Sequence, residues 1–143
     1  MERKVEILLV EDNQGDIRLI VEVLKEGKID NHLSVVEDGE QAIAYLHREG
    51  KYKDAIVPDI ILLDLNLPKI DGCGVLENIK ADSKLKHIPV IVLTTSEADK
   101  DIFKAYDLHA NCYITKPVNL EQFLTVVRSI ENFWLTIVRL PRR

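Results

Sequence analysis

Short apolar runs, often β-branched, alternate along the chain with longer stretches of helical period. The first run, Val5-Glu6-Ile7-Leu8-Leu9-Val10, stops at Glu11-Asp12-Asn13. From about Gly15 to Gly27, Ile17, Ile20, Val21 and Leu24 recur at the spacing of an amphipathic helix. A second strand is predicted at Leu33-Ser34-Val35-Val36, and Asp38-Gly39 turns into a helix through Ala42, Ile43 and Leu46. The third run, Ile60-Ile61-Leu62-Leu63, is apolar on both faces, as a central parallel strand requires. Asp64 closes it, and a loop through Pro68, Asp71 and Gly72 leads to a helix carrying Val75, Leu76 and Ile79. Val90-Ile91-Val92-Leu93 runs into Thr94-Thr95-Ser96, and a helix follows through Ile102, Phe103, Tyr106 and Leu108. Cys112-Tyr113-Ile114-Thr115 forms the last strand before Lys116-Pro117, and a final helix starts near a cap at Asn119 and runs to about Val138. Strands and helices that alternate in this way predict an α/β fold, a parallel sheet covered by helices on both faces and joined by right-handed crossovers.

The 143 residues leave room for one ordinary domain, long enough to bury a core without a metal or disulfide staple. Apolar residues make up 46% and charged residues 30%, which excludes a disordered chain, a collagen-like fibre and a membrane protein. A formal charge of −5 gives no reason to expect nucleic acid as a partner. Cys73 and Cys112 lie far apart with no CxxC spacing, so they are expected as free thiols. The N-terminal apolar run is too short for a signal peptide, and a cytoplasmic location is expected.

Ligands of an open parallel sheet bind beyond the carboxyl ends of its strands. At those ends stand Glu11, Asp12 and Asn13, then Asp64, then Thr94, Thr95 and Ser96, then Lys116. Each has an ordinary reading. Asp12, Asn13, Thr94 and Ser96 are of the types that cap helices, Asp64 suits a turn, and Lys116 suits a surface. Those readings do not explain why all of them meet at one rim. Three clustered carboxylates repel one another, and a hard cation such as Mg2+ relieves that repulsion. A carboxylate beside the cation can attack phosphorus, while a hydroxyl and an ammonium hold the phosphoryl oxygens. Asp64, ending the central strand, is best placed as nucleophile.

This constellation resembles the receiver domain of two-component response regulators. The matching pieces are Leu8-Leu9-Val10-Glu11-Asp12-Asn13, Leu62-Leu63-Asp64-Leu65-Asn66-Leu67-Pro68, Asp71-Gly72, Leu93-Thr94-Thr95-Ser96 and Tyr113-Ile114-Thr115-Lys116-Pro117. The resemblance covers residues 5–132 of a single domain spanning 1–143, with 133–143 as a C-terminal helix extension and tail. It implies a flavodoxin-like (βα)5 sandwich with strand order 2-1-3-4-5. It also implies a phosphoacceptor signalling protein rather than an enzyme, with Asp64 taking phosphate from a partner histidine kinase. Mg2+ would be held by the side chains of Asp12 and Asp64 and the backbone carbonyl of Asn66, with Glu11 assisting through water. Thr94 and Lys116 would contact the phosphoryl group, and Tyr113 would change rotamer with Thr94. Asn66 and Ser96 occupy the positions that tune acyl-phosphate lifetime, and a cis peptide is expected at Lys116-Pro117.

At the C-terminus Ile130, Phe133, Trp134 and Ile137 follow helical spacing on a helix too long for the sheet to cover, and an exposed apolar stripe marks a partner surface. The segment 131–138 and the insertion 48–55 look like those of small regulators paired with phytochrome-type histidine kinases, which implies a homodimer through the last helix. Residues 133–143 are too few for a DNA-binding domain, so output is expected through protein contacts. Two rivals fit less well. An aspartyl-phosphate phosphatase needs a general acid where Asn66 stands, and a flavodoxin-like electron carrier would not place Glu11-Asp12 against a phosphate. The histidines His32, His47, His87 and His109 have no metal spacing and are expected on the surface.

Overall fold

The computed structural model describes residues 4–27 and 29–141. Five strands, β1 (Val5–Val10), β2 (Asn31–Val36), β3 (Ile60–Leu63), β4 (Val90–Thr94) and β5 (Cys112–Thr115), alternate with α1 (Gln14–Glu26), α2 (Gly39–Leu46), α3 (Gly72–Ala81), α4 (Asp99–Asp107) and α5 (Leu120–Ile130). All pairings are parallel, in the order β2-β1-β3-β4-β5. The chain leaves β1 toward one edge and returns past it to β3, so a crevice opens where the winding reverses.

The doubly apolar strands supply two cores at once. Leu8, Val10, Ile61, Leu63, Val90 and Val92 face α2, α3 and α4, packing on Ala42, Leu46, Val75, Leu76, Ile79 and Ala105. The alternate residues Ile7, Leu9, Ile60, Leu62, Ile91 and Leu93 face α1 and α5, against Ile20, Val23, Leu24, Phe123, Val127 and Ile130. This is the period-two alternation of a strand expressed as two buried faces. The edge strand β2 begins two residues before the apolar run, where Asn31 Nδ2 donates to the Leu24 carbonyl of α1 and to the Ile29 carbonyl of the preceding connection. The stripe expected on the fourth helix is only partly inward: Ala105 is buried, while Phe103 and Tyr106 are exposed. Both cysteines are free, and all four histidines are exposed.

Capping follows the sequence. Asn13, Asp38, Asp71 and Asn119 each accept a hydrogen bond from a backbone N–H of the helix they open. After α5 the helix continues to Ile137, but from Glu131 it is wound as a π-helix. The wider turn brings Trp134 and Leu135 round to the face of Ile130, where they pack on the β1–β3–β4 core. Phe133 and Ile137 are left outside, 50% and 63% exposed. Ile130, expected in a partner-facing stripe, is instead 4% exposed and belongs to the core of its own sheet.

The loop after β3 is clamped between two helix starts. Gly72 N–H donates to the Leu65 carbonyl at 2.9 Å, and Gly39 N–H to the Pro68 carbonyl at 3.3 Å. A Cβ on Gly72 would lie 2.3 Å from the Asp64 carbonyl oxygen and 2.5 Å from Leu65 Cα. Only a residue without a side chain lets α3 start this close to the backbone that carries Asp64. Gly72→Ala is therefore expected to destabilise the fold by about 1–3 kcal/mol, the cost of overpacking against backbone. Urea denaturation measures this, and an unchanged midpoint would show that the loop yields freely.

Candidate functional site: an acidic pocket closed by one lysine

The parallel register brings the functional ends together. Val10 pairs with Leu63, and the Asp64 N–H donates to the Val10 carbonyl at 3.0 Å, so Glu11 and Asp64 emerge side by side. Oxygens of Glu11, Asp12 and Asp64 lie within 4.8 Å of one another. Glu11 and Asp64 are 1% and 6% exposed, whereas Asp12 is open to solvent. An all-oxygen donor set with an open side fits a hard cation that keeps part of its water. Asn13, not Asp12, caps α1, which leaves the Asp12 carboxylate free of that duty.

Lys116 reaches into the pocket from the end of β5. Its Nζ donates to Glu11 Oε1 at 2.5 Å, Asp16 Oδ2 at 2.9 Å and Asp64 Oδ2 at 3.2 Å, and its side chain is 3% exposed. The Lys116-Pro117 bond, expected cis, is trans. Strand pairing runs one residue past β5, with the Lys116 N–H donating to the Thr94 carbonyl at 2.6 Å, and this directs the side chain inward with the peptide trans. Burial alone would lower the affinity of the ammonium for its proton. Hydrogen bonds to Glu11 and Asp16 and the charges of Glu11 and Asp64 outweigh it and raise the pKa, so Lys116 is a permanent cation.

Thr94 ends β4 fully buried, and its Oγ1 has no hydrogen-bond partner. A buried hydroxyl without a partner is a costly feature that calls for a functional reason. Tyr113 Oη donates to the Ser96 carbonyl at 3.0 Å, which fastens the ring to the loop after Thr94. Ser96 Oγ donates to Asp101 Oδ2 at 2.6 Å and so anchors that loop to the first turn of α4 rather than entering the pocket. Asn66 is exposed, and its N–H donates to Asp64 Oδ1 at 3.1 Å.

The structure thus gathers Glu11, Asp12, Asp64, Thr94 and Lys116 at one rim, with Asn66 and Tyr113 adjoining it. Asp16 is the member that sequence reasoning missed. Its signal was available: a carboxylate in the first turn of the helix that follows Glu11-Asp12 sits at the same end of the sheet.

Burial raises the Glu11 pKa from 4.5 to about 7, and the charge of Asp64 adds to the rise while the Lys116 hydrogen bond opposes it. Between those values folded Glu11 holds more proton than unfolded Glu11, so the metal-free protein loses stability as pH climbs from about 4.5 to 7. One proton limits the slope to about 1.4 kcal/mol per pH unit. Urea denaturation in chelator across this range is expected to show the decline in the parent chain and its absence in Glu11→Gln.

Comparison with known proteins gives the same picture. The model of the response regulator receiver domain family matches residues 7–128. The chain is 51% identical over 135 residues to the response regulator Rcp1 of Synechocystis sp., covering 94% of this chain and 92% of that protein. The Mn2+-bound crystal structure of Rcp1 superposes with a TM-score of 0.95 at 50% identity, over 96% of this chain and 99% of that one. The crystal structure of the phosphorylated cyanobacterial phytochrome response regulator RcpA gives 0.95 at 54% identity, over 98% and 100%. With the fold, strand order and acidic pocket already matching, these similarities show that the chain belongs to the response regulator receiver domain family.

Proposed function

We propose that the chain is a phosphorylation switch in which Asp64 accepts a phosphoryl group from a histidine of a phytochrome-type sensor kinase. The observation that carries this reading is the setting of Asp64, a nearly buried carboxylate facing Lys116 with two further acids in reach. An Asp64 carboxylate oxygen attacks phosphorus and forms the O–P bond while the P–N bond to the kinase imidazole breaks. The electron pair goes to the departing nitrogen, and the ring, protonated on its other nitrogen, leaves as neutral imidazole. Mg2+, when bound, neutralises charge on the phosphoryl oxygens. The carboxylates of Asp12 and Asp64 and the Asn66 carbonyl would hold it, with Glu11 assisting. Thr94 brings the hydroxyl that has no partner in the resting pocket, and Lys116 brings a cation that pairs with a phosphoryl oxygen. Thr94 moving inward would draw on the loop that the Tyr113 hydroxyl holds at Ser96, which passes the change to α4 and β5. The receiver unit acts in the cytoplasm and signals through protein contacts.

We infer further that the output surface is a homodimer. Phe133 and Ile137 are exposed on the π-wound end of α5, and Phe133 and Trp134 line an apolar groove of about 470 Å3 shared with Cys112, Ile114, Val126 and Ile130 beside the edge strand β5. An apolar surface of this kind is costly in water unless a partner covers it.

Incubation with acetyl phosphate and Mg2+ is expected to add one phosphate per chain, abolished by Asp64→Asn and by chelation. Intact-mass measurement decides this, and sustained turnover of assorted phosphomonoesters would point to a phosphatase instead. Sedimentation with and without beryllofluoride is expected to show a dimer that Phe133→Asp with Ile137→Asp converts to monomer. A parent chain that stays monomeric at high concentration in both states would refute the dimer.

A further inference from the structure

The Lys116 ammonium has three N–H donors, and each meets a different carboxylate. Two of those acceptors have competing duties, because Glu11 and Asp64 belong to the acidic group that a cation would share. Asp16 lies outside that group. It is the third residue of α1, and its own N–H donates to Asn13 Oδ1 at 2.9 Å, which holds it in the first helical turn. In a capping box the residue at this place, a Glu or Gln, turns back to bond the N–H of the capping residue. Here the Asn13 N–H donates to Glu11 Oε2 at 3.2 Å, and the Asp16 carboxylate extends to Lys116 at 2.9 Å. Glu11 has taken over half of the capping pair, which frees Asp16 to hold the lysine.

From this exchange of partners we propose that Asp16 is a positioning residue that holds Lys116 at the rim when Glu11 and Asp64 turn to the cation and the phosphoryl group. The role rests on the reading of Asp64 and Lys116 given above. Asp16 acts through Lys116 and touches neither metal nor phosphate. Without its carboxylate, the ammonium has only Glu11 and Asp64 to pair with and competes with the cation for both.

Asp16→Asn keeps the size and the capping N–H and removes only the charge. Mg2+ binding, followed by calorimetry in the parent chain, Asp16→Asn, Lys116→Met and the double variant, isolates the coupling. Asp16→Asn is expected to weaken Mg2+ binding about threefold to tenfold when Lys116 is present, as for directly coupled charged neighbours. In the Lys116→Met background the same change is expected to alter binding by less than about twofold, as for uncoupled sites. Equal losses in both backgrounds would reduce Asp16 to a remote negative charge and overturn the role, as would unchanged or tighter binding in Asp16→Asn. Phosphate uptake by Asp64→Asn would instead overturn the reading of the site on which the role rests.

Discussion

One buried ammonium organises the functional end of this protein. Lys116 lies among three carboxylates drawn from the end of β1, the first turn of α1 and the end of β3. Charges of like sign at this spacing are tolerable only with a cation among them, and a buried cation only with carboxylates around it. Removing either side leaves an uncompensated buried charge, a cost of about 3–5 kcal/mol in typical proteins. The pocket is therefore held in a poised arrangement by a group from the far end of the chain, 105 residues from Glu11 and 52 from Asp64.

The rest of the fold serves that arrangement. Parallel register aligns the strand ends, and doubly buried β3 and β4 make a platform that does not yield. The clamp of Gly39 and Gly72 on the loop after β3 sets the backbone that carries Asp64. Against this rigidity stand two features with latitude. The Thr94 hydroxyl is buried without a partner, and the Tyr113 ring is only partly buried and tethered by its hydroxyl to the Ser96 carbonyl. In the proposed switch, a charge change at Asp64 acts first on these two. They lead outward to α4 and β5, where Phe103 and Tyr106 are exposed.

The π-wound end of α5 gives the C-terminal segment two tasks. Trp134 and Leu135 complete the core beside α1, while Phe133 and Ile137 face away from it. Helical spacing alone would place Ile130, Phe133, Trp134 and Ile137 on one stripe. The altered winding divides them between the inside and the outside of the same element.

Much of this is legible in the amino-acid sequence alone. Five apolar runs, their intervening helical periods and the capping Asn13, Asp38, Asp71 and Asn119 determine an α/β chain, because periodicity and caps are local properties. The acids, hydroxyl and lysine of the pocket were readable too, since an open parallel sheet presents its strand ends on one rim. What only tertiary structure decided were choices between competing partners. Asp16 turned to Lys116 instead of its own cap, Ser96 turned to α4, and Lys116 reached the pocket across a trans bond to proline. Ile130 went inward while Phe133 stayed out. Spacing along a chain says which groups come to the same end of a sheet. Which hydrogen-bond acceptor each one takes depends on ångström distances between segments far apart in sequence, and those exist only once the sheet has closed.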